Sequence, residues 1–325
     1  MFKALSTLLT TALVAADELF LKEGEVVQID DAFADLDTNK QPVIGILTQT
    51  LETDMQKDPR FQGYKSYIMS SYVKYMEAQG ARVVPLIYGE PEDVTKEKLK
   101  HLDGVLFPGG DGDDVDIGRL VFNEIIRYND EGHFYPAWGT CLGYENMIAY
   151  TADAGFDSWG IYDYHKVSLP VKFLKKPTET KMWKGLGLMA YEFERKNFTY
   201  NSHRYGISPD TFKTDKGLAK FWDVTSESFM PNGTAFVASI EAKNYPIFGT
   251  QFHPEKPSEL WVDGLNVNHS WESIELQMHF SRFFVEMART NPNTFGDFNA
   301  TQALEISNFD VIQSGDSQAD VYVFK

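Results

Sequence analysis

A run of apolar residues that breaks into Gly139-Thr140-Cys141-Leu142-Gly143 constrains this chain more than any other stretch. Phe134-Tyr-Pro-Ala-Trp138 reads as a strand, and the residues from Leu142 onward can open a helix. A side chain carried between two glycines on a strand-to-helix turn is the grammar of a nucleophile elbow, here with sulfur in place of a hydroxyl. Glycines at 139 and 143 let the backbone bend sharply enough to present the residue between them. Cys141 is the chain's single cysteine, so no intramolecular disulfide can form and the core must supply the stability. A buried, inert thiol is the ordinary fate of a free cysteine. Placement at a helix start, whose unpaired N–H groups favour a thiolate, argues for a reactive one.

Further along, Tyr245-Pro-Ile-Phe-Gly-Thr-Gln-Phe-His253-Pro254-Glu255 is a strand-like run ending in His-x-Glu. In extended backbone, residues i and i+2 point the same way. Glu255 can therefore reach the imidazole, fix its tautomer and stabilise the imidazolium. Cys141, His253 and Glu255 are thus a candidate nucleophile, base and orienting acid. In an acidic compartment near pH 5, only about 3 in 10,000 free thiols would be ionised. The expectation is a thiolate–imidazolium pair, which can lower a cysteine pKa to about 3–4.

A third element is Gly104-Val-Leu-Phe107-Pro108-Gly109-Gly110. Neither Gly-x-Gly-x-x-Gly nor a Gly-Lys-Ser/Thr ending is present, which sets nucleotide binding aside. Pro-Gly-Gly directly after a strand suits a backbone N–H that approaches a reacting carbonyl. The N–H groups of Gly110 and Leu142 are the expected oxyanion hole.

The rest of the chain alternates strand and helix signals. Pro42–Thr48, Arg82–Ile87 and Gly104–Phe107 have strand character, Asp54–Gly63 reads as a polar loop, and Tyr67–Gln79 has helical spacing. This order predicts a parallel sheet covered on both faces, with the strand before Cys141 as a central member. Residues 155–235 are aromatic-rich and read as hairpins and walls of the site. Ala235–Ile240 and Pro246–Thr250 return to strand character, a helix follows over 272–289, and the segment from Asn291 is polar and poorly patterned.

The formal net charge of −17 argues against nucleic-acid and anionic-membrane surfaces as partners. Met1-Phe-Lys3 followed by an apolar centre and small residues at Val14 and Ala16 reads as a secretory leader. Its apolar part is too short to span a bilayer. Four Asn-x-Ser/Thr tripeptides, at Asn197, Asn232, Asn268 and Asn299, fit that route. The division expected is a signal peptide over 1–16, an acidic lead-in over 17–40, a catalytic domain over 41–290 and a tail over 291–325. The expected location is the secretory pathway, ending in a lysosome, a vacuole or outside the cell.

The chain resembles the γ-glutamyl hydrolases of the folate polyglutamate type, within the class I glutamine amidotransferase-like superfamily. The resemblance rests on Pro42–Thr48, the long stretch Tyr67–Pro85, Gly104–Gly110, Trp138–Gly143 and Phe248–Lys256. It implies a flavodoxin-like α/β three-layer sandwich with a central, mostly parallel sheet. It implies Cys141 as nucleophile, His253 as general base and acid, Glu255 as its partner, and Gly110 and Leu142 as oxyanion donors. A further histidine near the substrate matches His203 in Asn201-Ser-His-Arg-Tyr205. The substrate implied is a small molecule, a poly-γ-glutamyl folate, whose carboxylates Lys65, Arg204 and Lys256 are candidates to meet. The family needs no metal or organic cofactor, and no cysteine–histidine cluster here suggests one. A homodimer is compatible with the resemblance. Two other readings stay open: a glutaminase that feeds ammonia to a synthase, and a catalytically silent binding protein on the same fold. Whether cleavage is terminal or internal is also open.

Overall fold

The computed structural model describes residues 39, 41–313 and 320–325. The expected leader and nearly all of the acidic lead-in lie outside the described residues. Strands are numbered in chain order as β1 (Val43–Leu47), β2 (Gln49–Thr50), β3 (Ser66–Met69), β4 (Arg82–Leu86), β5 (Gly104–Phe107), β6 (Ala137–Thr140) and β7 (Gly160–Leu169). They continue as β8 (Lys172–Phe173), β9 (Thr199–Gly206), β10 (Trp222–Phe229), β11 (Ala235–Ala242), β12 (Ile247–Thr250), β13 (Asp310–Gln313) and β14 (Asp320–Phe324).

Eight strands form the central sheet in the order β4-β1-β5-β6-β12-β11-β10-β8. The first five are mutually parallel and the last three run antiparallel. The parallel part is apolar on both faces because side chains alternate along each strand. Ile44, Ile46, Leu106, Trp138 and Phe248 pack into one core, with the helices Ser70–Glu77 and Trp271–Ala288. Val43, Leu47, Val105, Phe107, Ala137 and Ile247 pack into the other, with the helices Val115–Asp130 and Leu142–Thr151. The result is the three-layer α/β sandwich expected.

Three local readings change. Tyr67, Ile68 and Met69 are not helical; they lie in β3, and the helix begins at Ser70. The helical spacing of Ile68 with Tyr72 and Tyr75 comes from a strand leading straight into a helix, both buried. Asp54–Gly63 is not an open loop: it holds a short helix, Thr53–Lys57, and a 3-10 turn, Pro59–Phe61, anchored by buried Met55 and Phe61. The segment beyond Asn291 contains the helix Phe298–Leu304 and both strands β13 and β14. β14 sits between β13 and β3 in a second, antiparallel sheet, with Val321, Val323 and Phe324 buried.

Phe324 places its ring 4.8 Å from that of Phe309 and is 2% exposed. Phe324→Ala is expected to cost about 3–5 kcal/mol of stability, the usual loss for a fully buried phenylalanine. Urea unfolding of the variant checks this; an unchanged midpoint would mean that the C-terminal strand contributes nothing to the fold.

Candidate active site

The carboxyl ends of β1, β5, β6 and β12 lie side by side, where open α/β sheets place ligands. β6 and β12 are adjacent and in register, Thr140 opposite Thr250, so the residues after them emerge at one level. Cys141 follows β6 and donates its N–H to the Thr250 carbonyl at 2.9 Å. Its backbone is strained, with φ 52° and ψ −112°, and it caps the helix Leu142–Thr151. A side chain on Gly143 would run into the Phe107 carbonyl, and one on Gly139 into Met147 and the Tyr144 backbone. Both glycines of the motif are therefore demanded by close approach.

His253 follows β12 by three residues. Its Nδ1 lies 2.9 Å from Glu255 Oε1 and 3.2 Å from the Tyr72 hydroxyl, which accepts the Gly109 N–H at 2.8 Å. A carboxylate only accepts, so Nδ1 carries the proton and Nε2 is the basic nitrogen. A Cβ on Gly109 would stand 2.8 Å from the Cys141 Cβ and 3.0 Å from the His253 Cε1. The cysteine and the imidazole thus flank one point, each 5% exposed. They line a common cavity.

Burial alone would raise the Glu255 carboxyl, but the charges of His253 and Lys256 outweigh it and hold the group below its usual range. Lys256 is itself buried, 3% exposed, with its ammonium 3.5 Å from Glu255 Oε1 and 3.2 Å from the Ser71 hydroxyl. It is a buried charge, not a solvated surface one, and it lines the cavity that Cys141 and His253 share.

The surroundings of Cys141 work against the preformed thiolate expected. Burial, and after it the carboxylates Glu145, Asp111 and Glu255, push the Cys141 thiol well above its ordinary range; only the Leu142 N–H pulls the other way. Two acids that line the larger cavity are themselves shifted upward. Burial drives Glu145 up to about 8, against a hydrogen bond from Gln251 at 2.8 Å. It drives Asp114 up to about 7, against hydrogen bonds from Gln49 and Asn146. These surroundings favour the neutral thiol at Cys141.

Two cavities meet at Cys141. Gly110, Asp111, Cys141 and Ser202 line both. The larger, about 620 Å³, adds Leu142, Glu145, Trp159, His165, His203 and Arg204. Gly110 has φ +152° and no room for a side chain, because a Cβ would meet Gln49 and Tyr67. Gly110 and Leu142, the first residue of a helix, both line the larger cavity with Cys141, and the Leu142 N–H reaches the cysteine sulfur. His203 is 3% exposed and receives no partner at Nε2, while its Nδ1–H donates to the Tyr205 carbonyl at 2.7 Å. Burial lowers its pKa to about 3, so it offers a neutral acceptor nitrogen to the larger cavity.

The remaining candidates divide. Arg204 is exposed on the rim of the larger cavity. Lys65 is exposed beside β3 and lines neither cavity; its place before a buried strand sends its side chain to solvent. Asn197, Asn232 and Asn299 are exposed, whereas Asn268 is half-buried and its amide donates to the Asn197 carbonyl at 3.1 Å. Sequence reasoning missed Tyr72, Glu145 and Gln251. Glu145 stands four residues after Cys141, one helical turn on, which was the one signal available. Among the described residues no group of three or more His, Cys, Asp or Glu is arranged to hold a metal ion, and no helix is long and apolar enough to cross a membrane.

With this geometry in hand, comparison with known proteins is informative. The sequence profile of the family "Glutamine amidotransferase class-I" matches residues 64–262. The chain is 33% identical over 266 residues to Gamma-glutamyl hydrolase B of Dictyostelium discoideum, covering 80% of this chain and 75% of that one. It is 29% identical over 297 residues to the Gamma-glutamyl hydrolase of Homo sapiens, covering 89% and 91%. It is 30% identical over 316 residues to Probable gamma-glutamyl hydrolase 3 of Arabidopsis thaliana, covering 90% and 86%.

The buried acids make stability depend on pH. A carboxyl whose pKa is raised by folding stabilises fully below its unfolded value, and that contribution is lost as pH rises through the folded value. For Glu145 the window runs from 4.5 to about 8, and for Asp114 from 3.8 to about 7. The urea midpoint is therefore expected to be higher at about pH 5 than at about pH 8.5. The double substitution Glu145→Gln, Asp114→Asn is expected to flatten that slope, leaving the part owed to buried Asp103, also raised to about 7. An equally steep slope in the double variant would contradict this account.

Proposed function

Because the chain belongs to the γ-glutamyl hydrolases, a branch of the class I glutamine amidotransferase family, we propose that it hydrolyses γ-glutamyl amide bonds with Cys141 as the attacking atom. The observation that carries this reading is the meeting of Cys141 with a His253 whose other nitrogen is fixed by Glu255 at 2.9 Å. Two adjacent parallel strands deliver those residues at the same height.

The steps balance as follows. Cys141 Sγ attacks the γ-carbonyl carbon while its proton moves to His253 Nε2. The carbonyl electrons shift to oxygen, which the N–H groups of Gly110 and Leu142 stabilise. The C–N bond then breaks, the departing α-amino nitrogen takes the proton from His253, and a γ-glutamyl thioester remains. Water gives a proton to His253, attacks the thioester, and releases the γ-carboxyl product with the thiol restored. Glu255 keeps the imidazole in one tautomer and balances the imidazolium formed at each stage. Tyr72 holds the ring from a second side and ties it to the Gly109-Gly110 turn.

Poly-γ-glutamyl folates are the substrates that the resemblance implies, and a cavity of about 620 Å³ beside the cysteine suits a group much larger than glutamine. His203 would accept a hydrogen bond from the acyl portion, and Arg204 at the rim would meet a carboxylate. Traffic through the secretory pathway, with glycans on the exposed Asn197, Asn232 and Asn299 before the half-buried Asn268, belongs to the same proposal. So does a catalytic domain over 41–290.

The test is hydrolysis of a folate pentaglutamate by the purified protein, followed by chromatography. Cys141→Ala is expected to abolish product formation, and His253→Asn to reduce kcat about 10²–10⁴-fold, the usual worth of a positioned acid–base group. Hydrolysis of glutamine far exceeding that of the γ-linked chain would sink the reading, as would an undiminished Cys141→Ala enzyme.

A further inference from the structure

The turn that carries Gly110 is held from outside the central sheet, and we infer that Gln49 of β2 is the positioning residue that aims the Gly110 N–H at the developing oxyanion. This rests on the hydrolase reading above, with Gly110 as an oxyanion donor, and adds what keeps that donor in place.

A peptide group is planar, so fixing both of its polar ends fixes the plane from which the chain continues. The peptide between Pro108 and Gly109 is held in this way. Its N–H donates to the Tyr72 hydroxyl at 2.8 Å. Its carbonyl accepts from the Gly143 N–H at 3.1 Å and from Gln49 Nε2 at 3.2 Å. The next peptide along carries the Gly110 N–H. Gly110 itself lies against the same side chain, since a Cβ there would stand 2.0 Å from Gln49 Oε1 and 3.1 Å from its Cδ. Gln49 is buried, so the turn packs on a side chain that cannot swing aside into solvent.

The direction of the Gln49 amide is fixed by its neighbours. Nε2 meets two acceptors, the Pro108 carbonyl and Asp114 Oδ2, the latter at 3.4 Å. The reversed amide would set its oxygen against the Pro108 oxygen. Oε1 accepts no hydrogen bond and so leaves the Gly110 N–H unclaimed. Asp114, also buried, takes a further hydrogen bond at Oδ1 from Asn146 Nδ2 at 2.7 Å. Asn146 lies on the helix that begins at Leu142, the other oxyanion donor. Gln49 and Asp114 together therefore tie the Gly110 turn to the Leu142 helix. At the far end of the turn, the Thr50 N–H donates to the Asp113 carbonyl at 3.0 Å, and the Asp113 N–H to the Thr50 hydroxyl at 2.8 Å. β2 thus holds the turn at both ends, and pairing of Gln49 with Tyr67 and Thr50 with Ser66 anchors β2 in the second sheet.

Two substitutions test this with a folate pentaglutamate as substrate, each checked for folding by circular dichroism. Gln49→Leu keeps much of the volume and removes the donor. It is expected to lower kcat about 10²-fold, the usual cost of a misplacement near one ångström, with KM unchanged. Alkylation of Cys141 by iodoacetamide passes through no oxyanion, so its rate is expected to stay at the wild-type value. Gln49→Glu keeps a donor to the Pro108 carbonyl only while its carboxyl is protonated. The ionisable groups around position 49 are Asp114, Asp111 and Asp113 on the turn, and the Tyr67 hydroxyl with its partner Glu52. All are acids or a phenol, so this carboxyl is expected to be protonated at acid pH and to ionise by about pH 9. The kcat deficit of Gln49→Glu relative to wild type is therefore expected to be smallest at acid pH and to widen as pH rises, whereas that of Gln49→Leu stays level. An unchanged kcat in folded Gln49→Leu would overturn the inference and leave the hydrolase reading intact. So would alkylation slowed as much as kcat, which would place the damage at the nucleophile. A deficit in Gln49→Glu that does not vary with pH would overturn the role of the Pro108 hydrogen bond, and this variant carries the test should Gln49→Leu not fold. No cleavage of the γ-linked chain by the wild-type protein would overturn both readings.

Discussion

The hydrogen bond from the Cys141 N–H to the Thr250 carbonyl, 2.9 Å long, is the constraint on which the site depends. It is the last rung of the β6–β12 ladder, whose register sets Thr140 opposite Thr250. One residue of slip would turn each strand's inward side chains outward. It would also move the sulfur away from the imidazole by a full residue spacing. The apolar alternation of Ala137 and Trp138 against Ile247 and Phe248 forbids that slip, because each pair feeds a different core. The packing of the central sheet and the alignment of the reacting groups are therefore one fact. The strain at Cys141, about 1–3 kcal/mol for a residue held in such a backbone region, persists because the ladder and the close-packed glycines on either side leave no alternative.

Electrostatics then divide the labour at the site. A cysteine ringed by Glu145, Asp111 and Glu255 is a poor place for a standing thiolate. Lys256 prevents the arrangement from tipping too far, since a buried acid without a cation would simply protonate. With Lys256 at 3.5 Å, Glu255 stays ionised and keeps its hold on the ring. The surroundings of the elbow thus favour the neutral form of the Cys141 thiol.

Much of this was legible in the sequence where the signal is local. The Gly-x-Cys-x-Gly turn, the Pro-Gly-Gly after β5 and the i, i+2 pairing of His253 with Glu255 each depend on a few adjacent residues. Backbone geometry decides the two glycine turns. His253 meets Glu255 through a turn and not through the extended backbone expected, since β12 ends at Thr250 and Glu255 has φ −79° and ψ −20°. What depends on distant partners was not legible. Tyr67–Met69 satisfied a helical spacing, yet β2 and β14 claim that segment as a strand. Lys256 and Lys65 look alike as charges, but one is sealed beneath Tyr72 and Ser71 while the other points to solvent. Burial raises the pKa of Glu145 and Asp114, and the partners that oppose it are distant in sequence, Gln251 just after β12 and Gln49 in β2.

The C-terminal segment illustrates how far such partnership extends. Val321 of β14 pairs with Met69, the last residue of β3. The helix that starts at Ser70 then presents Ser71 to Lys256 and Tyr72 to His253. A strand more than 240 residues away in sequence therefore fixes the backbone from which one wall of the smaller cavity and one support of the imidazole project. β14 also accepts a hydrogen bond from the Lys65 N–H at its Phe324 carbonyl, 2.7 Å long, which closes the other end of the same strand pair. The polar look of the segment after Asn291 hides this, because its buried apolar residues in β14 are few: Val321, Val323 and Phe324. Those few residues brace the side of the site that the parallel sheet does not reach.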